Sequence, residues 1–152
     1  MIPVLTDDYR ATITRFYQKD PVFIEKYHSQ RDNGFDACVN SCVRGFDACP
    51  EDKTKMFVVS KDDNEVGFFT LMEDSEVNGA ILYQFFILPE YRSNALKTEM
   101  MELVKSKEEK DIYAIVLKEN EPVMRFYGKM GLNILEFKNN GLNLVLFNLK
   151  RG

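Results

Sequence analysis

Long apolar runs are missing from this chain of 152 residues. No stretch approaches the roughly 18 consecutive apolar residues that cross a bilayer as a helix, so a membrane-spanning helix is excluded. The opening residues Met1 to Thr6 have neither a basic flank nor a long apolar region, and no secretory leader is expected. The expected compartment is the cytosol. Clustered positive charge is missing too: 20 Lys and Arg against 24 Asp and Glu give a net charge of -4. With no basic patch, duplex nucleic acid is not an expected partner, and neither is a membrane. A basic or amine-bearing partner fits the charge better, and a homodimer is left open.

Cysteine is scarce and odd in number, with three in the chain. In a cytosolic setting that argues against a structural disulfide framework. All three lie in "GFDACVNSCVRGFDAC", which repeats Gly-Phe-Asp-Ala-Cys and places Cys38, Cys42 and Cys49. With the single histidine, His28, they could form a zinc set. However, their x3 and x6 spacings match neither common zinc knuckles nor iron–sulfur motifs, and no metal is expected. Small buried apolar side chains are the favoured reading.

What is present suits one compact domain over residues 1–152, since a chain of this size, 45% hydrophobic, buries roughly two-thirds of its unfolded surface. A strand is expected from Ile2 to Leu5, then helical segments around Tyr9 to Tyr17 and Pro21 to Gln30. Met56 to Val59 and Val66 to Met72 form a hairpin about the polar turn Lys61-Asp62-Asp63-Asn64. Ala80 to Leu88 is apolar almost throughout, as in a central strand covered on both faces. Pro89 ends it. Leu96, Met100, Leu103 and Val104 then fall on one helical face.

A strand from Ile112 to Leu117 follows, and a short helix with Asn120 as N-cap, Pro122 in its first turn and Gly131 at its C-cap. Val123, Phe126, Tyr127 and Met130 share one face of it. Leu132 to Phe137 and Leu142 to Phe147 close the chain as a hairpin around Asn140-Gly141. The order β-α-α-β-β-β-α-β-α-β-β indicates a mixed α/β (α+β) fold, with a mostly antiparallel sheet flanked by helices.

Glycine is absent where a phosphate-cradling turn would want it, in "LPEYRSNALK" between the central strand and its helix. A helix N-terminus still offers unpaired N–H groups and about half a positive charge. Replacing glycine costs roughly 1–2 kcal/mol where a left-handed backbone is required. Arg92 or Lys97 could offset that with a charged contact of about 1.5–3 kcal/mol. The alternative reading is an ordinary helix cap at Ser93 or Asn94.

The element order and two motifs resemble the GNAT superfamily of acyl-CoA-dependent N-acyltransferases, best over residues 56–147. The family's first motif has Arg or Gln, two residues, Gly, one residue, then Gly or Ala. Here it reads Arg92-Ser93-Asn94-Ala95-Leu96-Lys97, keeping the arginine and the preceding Pro89-Glu90-Tyr91 but replacing both small positions. The second motif is matched by Asn120, Phe126, Tyr127 and Gly131, with Lys129 and Leu132 also family-like and Val123 in place of the usual alanine.

The resemblance implies transfer of an acetyl group from acetyl-CoA, as co-substrate, to a primary amine of a small molecule, peptide or protein. It implies a main-chain N–H at Phe86, Ile87 or Leu88 for the carbonyl oxygen. The pyrophosphate is expected at Arg92, Ser93, Asn94, Ala95, Leu96 and Lys97, with Asn120 and Phe126 also lining the cofactor site. Tyr127 would meet the departing sulfur; its alternative is a half-buried core residue beside Phe126. The cysteine stretch would lie near the acceptor entrance. No general base is evident, because the strand from Ala80 to Leu88 has no carboxylate; Glu73, Asp74, Tyr83, Gln84 and His28 could act only through water. A GNAT-fold protein that binds without catalysing is the other function class, suggested by the missing glycines and base. Nucleotide or DNA-base modification on the same scaffold has no basic patch to support it.

Overall fold

The computed structural model describes residues 1–22, 53–75, 77–130, 132–139 and 141–150. Its elements are β1 (Ile2–Thr6), α1 (Tyr9–Gln18), β2 (Thr54–Lys61), β3 (Asn64–Asp74) and β4 (Gly79–Ile87), then α2 (Asn94–Lys105), β5 (Asp111–Leu117), α3 (Glu121–Met130), β6 (Leu132–Asn139) and β7 (Leu142–Asn148). The seven strands form one sheet in the order β1-β2-β3-β4-β5-β7-β6. Only β4 and β5 run parallel; the other neighbours are antiparallel. The mixed, mostly antiparallel fold expected from the sequence is therefore the fold observed. His28, the three cysteines, Gly131, Asn140 and most of the expected helix from Pro21 to Gln30 lie outside the described residues.

Local chemistry accounts for the elements. Asp62 and Asp63 both take positive φ, 53° and 66°, the backbone of a type I′ hairpin turn that matches strand twist. Asp8 caps α1 through Ala11 N–H, and Ser93 caps α2 through Leu96 N–H. The apolar face of α2 carries Leu96, Met100 and Val104 as the spacing required, and adds Met101, while Leu103 is half-buried.

Cores form on both sides of the sheet. On one, α1 sets Ile13, Phe16 and Tyr17 against Phe68, Phe86 and Leu88. On the other, α2 and α3 cover Phe69, Ile87, Ile112, Ala114, Val116, Val145 and Phe147. Burial on both faces explains why β3 and β4 read as nearly unbroken apolar runs.

One irregularity shapes everything downstream. Between β3 and β4 the register passes from Thr70↔Gln84 to Leu71↔Leu82, so Tyr83 is an extra residue in β4. Such a bulge bends and twists its strand. The parallel pairing of β4 with β5 runs through Gly79↔Asp111, Ala80↔Ile112 and Ile81↔Tyr113 and stops there, next to the bulge. Beyond it the two strands diverge and leave a wedge in the sheet. Close backbone approach brackets the divergence: a Cβ at Gly79 would lie 2.2 Å from the Asp111 carbonyl oxygen, and one at Gly67 2.1 Å from that of Phe86. Glycine is needed at both places for contact, not for φ.

Candidate active site

The wedge opens into a cavity of about 660 Å³. The end of β4 supplies Phe85, Phe86 and Ile87, the turn into α2 supplies Arg92 and Lys97, and the start of α3 supplies Asn120, Pro122, Val123, Phe126 and Tyr127. Sequence positions from three separate elements thus meet in one space. Phe85, missed in the sequence reading, belongs with Ile87 by simple alternation along β4, a signal that was available.

Strand alternation selects among the three expected main-chain donors. Leu88 N–H donates to the Val66 carbonyl at 2.8 Å, so its hydrogen bond is already used within the sheet. Phe86, two residues earlier and paired with Phe68, faces β3 in the same way. Ile87 lies between them, and its N–H and C=O point to the opposite edge, where β5 has departed. Of Phe86, Ile87 and Leu88, Ile87 is the one whose N–H can meet a ligand in the wedge; the Leu88 side chain is buried against α1.

Arg92 is not a free cation. Its Nε donates to the Ile87 carbonyl at 2.7 Å, its guanidinium pairs with Asp20 Oδ2 at 2.6 Å, and it lies 5.3 Å from the centre of the Phe86 ring. Asp20 is almost wholly buried, so this pair fixes the end of β4 to the segment after α1. Nothing in the sequence pattern marked Asp20, which is 72 residues away. Arg92, expected at the pyrophosphate, braces the mouth of the wedge through these contacts.

The turn itself uses most of its own donors. Arg92 N–H donates to Pro89, Ser93 N–H to Tyr91 and Lys97 N–H to the Ser93 carbonyl. Leu96 N–H donates to Ser93 Oγ at 3.1 Å, while the Leu96 side chain is buried in the core. That leaves the N–H groups of Asn94 and Ala95 without partners among the described residues. The cap reading of Ser93 is therefore what the backbone shows, with two donors of the expected anion site remaining.

Tyr127 is 9% exposed, with its ring edge-on to Phe126 at 5.2 Å and stacked on Phe147 at 6.2 Å. Its hydroxyl has no hydrogen-bond partner among the described residues. Burial alone pushes the phenol up from its ordinary value of 10.0, so it stays protonated at neutral pH. A buried tyrosine hydroxyl ordinarily finds a partner, and this one lines a cavity instead. Asn120 stands just before α3, and its carbonyl accepts from Met124 N–H at 2.9 Å. Phe126 packs on Phe85 at 6.1 Å and lies under the Lys97 ammonium at 5.9 Å.

Of the water-mediated bases considered from sequence, the four that lie among the described residues fall elsewhere. Glu73 and Asp74 line a separate cavity of about 180 Å³ at the start of β4. Gln84 accepts from Thr70 Oγ1 at 3.2 Å, and Tyr83 is exposed at the bulge. No carboxylate lines the wedge among the described residues, and no metal-ligating group of three is found among them. Likewise, among them no helix is long and apolar enough to cross a membrane.

Comparison with known proteins agrees with this architecture. An acetyltransferase from Thermus thermophilus superposes with a TM-score of 0.68 at 14% identity, covering 97% of this chain and 96% of that one. The PaiA N-acetyltransferase of Thermoplasma acidophilum, solved with coenzyme A, gives 0.58 at 15% identity over 97% and 99%. Arabidopsis thaliana NAA60, solved with a bisubstrate analogue, gives 0.52 at 16% identity over 96% of each chain. At such identities the likeness is one of fold. No curated protein matches the sequence. The sequence itself matches the model of the acetyltransferase (GNAT) family over residues 10–132, most of its length, and the chain belongs to that family.

Proposed function

We propose that the protein is an N-acetyltransferase that moves the acetyl group of acetyl-CoA to a primary amine on a small molecule, peptide or protein. The observation that carries this reading is the wedge between β4 and β5, with the Ile87 N–H on one wall and, on the other, the Tyr127 hydroxyl, which has no partner among the described residues. Acetyl-CoA supplies an acyl group already activated as a thioester. Ile87 N–H would donate to the carbonyl oxygen as negative charge grows there during attack by the amine nitrogen. The C–N bond forms, the C–S bond breaks, and the ammonium proton passes to water.

Tyr127 would donate a hydrogen bond to the leaving sulfur. Its raised pKa disfavours full proton transfer to a thiolate, whose ordinary pKa is near 8.5, so the thiolate takes its proton from solvent. Most of the rate enhancement is then positioning. The second reading, a fold that binds without catalysing, draws on the glycine-free turn and on Arg92 being bound to Asp20.

Calorimetric titration with acetyl-CoA separates the two. Micromolar binding followed by acetylation of an amine panel is the expected result; no heat and no thermal shift at millimolar acetyl-CoA would overturn the enzyme.

A further inference from the structure

On one side of the sheet, among the described residues, α1 packs over β2, β3 and the end of β4. Strands β5, β7 and β6 lie beyond it. Alternation along β5 sends Ile112, Ala114 and Val116 into the core under α2 and α3 and turns Ile115 and Leu117 to the opposite side. Register then assembles two apolar rows across three strands. Ile115 lies beside Leu146 and Leu146 beside Leu135, while Leu117 lies beside Leu144 and Leu144 beside Phe137. None of the six belongs to either core. Ile115, Leu117 and Leu135 are 48%, 40% and 52% exposed, as is Leu142, on the same face of β7, at 49%. An antiparallel sheet with one wet face ordinarily alternates apolar-in and polar-out. β5 and β7 are apolar on both faces, the pattern of β3 and β4, whose two faces are both covered.

We propose that this face of β5, β7 and β6 packs against the same face of a second copy of the chain about a two-fold axis, forming an isologous homodimer. The four most exposed side chains leave on the order of 400 Å² of apolar surface in water, the size of the largest and often functional patch on a monomer. A standard interface covers about 800 Å² per partner, so the rows supply its dry centre and neighbouring polar side chains its rim. The rows carry no charge, and Lys118 and Glu136 beside them already pair at 3.0 Å, so no field of one sign opposes a second copy. An uncharged apolar face is its own complement, as two-fold pairing requires. The rows line neither the wedge nor the cavity at the start of β4, so they offer no enclosure for a small molecule. Contact is face to face, as in a sandwich of two sheets, because the bulge between Asn133 and Leu135 twists the edge strand β6 away from edge pairing.

Sedimentation across low to high micromolar protein tests the contact. The wild type should pass from monomer to dimer. Ile115→Lys/Leu135→Lys places charge in the first row at two exposed positions, so the fold should survive; its dimer should dissociate about a hundredfold more readily or more, as expected for burying unpaired charge. The chain has no tryptophan, so Leu135→Trp adds a single reporter whose emission should move to shorter wavelength as the dimer forms. A wild type that stays monomeric throughout overturns the proposal, and if it then binds phosphatidylcholine vesicles while the lysine variant does not, the face belongs to a lipid surface. A lysine variant that dimerises as tightly as the wild type, or tryptophan emission that ignores concentration, places any dimer contact elsewhere and overturns it too.

Discussion

Replacing Tyr127 with Phe should move activity and stability in opposite directions. The substitution removes one oxygen and keeps the ring that packs on Phe126 and Phe147. Without ligand that oxygen is buried and unpaired among the described residues, so its removal relieves a desolvation cost of about 1–3 kcal/mol. Stability should hold or rise. In the reaction the hydroxyl would meet a developing thiolate, and a hydrogen bond to a charged acceptor is worth about 1.5–3 kcal/mol. At about 1.36 kcal/mol per decade this converts to a loss of roughly 10- to 150-fold in kcat, with acetyl-CoA affinity little changed.

Free-thiol release measures the first quantity and urea denaturation the second. The alkaline limb adds a further readout. Burial raises the phenol's pKa in the folded state, so the unfolded chain gives up this proton first. Wild-type stability therefore has the full contribution below the ordinary value of 10.0 and loses it as pH rises above that. Tyr127→Phe should lack that part of the fall. Turnover within about twofold of wild type, or a loss of stability exceeding that of an ordinary surface change, would return Tyr127 to the core and refute the reasoning.

Arg92→Ala should lower stability by about 3 kcal/mol, because it strips the guanidinium from the buried Asp20 carboxylate and from the Ile87 carbonyl; a change below about 1 kcal/mol in chemical denaturation would mean that the brace is idle. Gly67→Ala should cost more than about 1 kcal/mol, since the new Cβ meets backbone 2.1 Å away, and should raise KM for acetyl-CoA by shifting β4 beside Ile87. A variant with wild-type melting and KM would show that β4 can yield there without strain.

Reading the sequence alone went far for properties that are local. The hairpin at Asp62-Asp63, the strand that Pro89 ends and the apolar face of α2 all follow from period, turn chemistry and capping, which act over a few residues. So does the gathering of Phe126 and Tyr127 on one short helix with Asn120 just before it, and with it the family resemblance. The sequence could also show that Ala95 and Lys97 stand where small residues were wanted, without showing what replaced them.

Long-range partners required the folded chain. Asp20 claims Arg92 across 72 residues, and no periodicity marks that pairing. The bulge at Tyr83 comes from register against β3, a relation between two strands, and it opens the wedge beside β5. Ile87 is singled out from Phe86 and Leu88 only because Val66 takes the Leu88 hydrogen bond. Propensity and pattern are carried by neighbours in sequence, whereas side-chain pairing, strand register and cavity shape are set by neighbours in space.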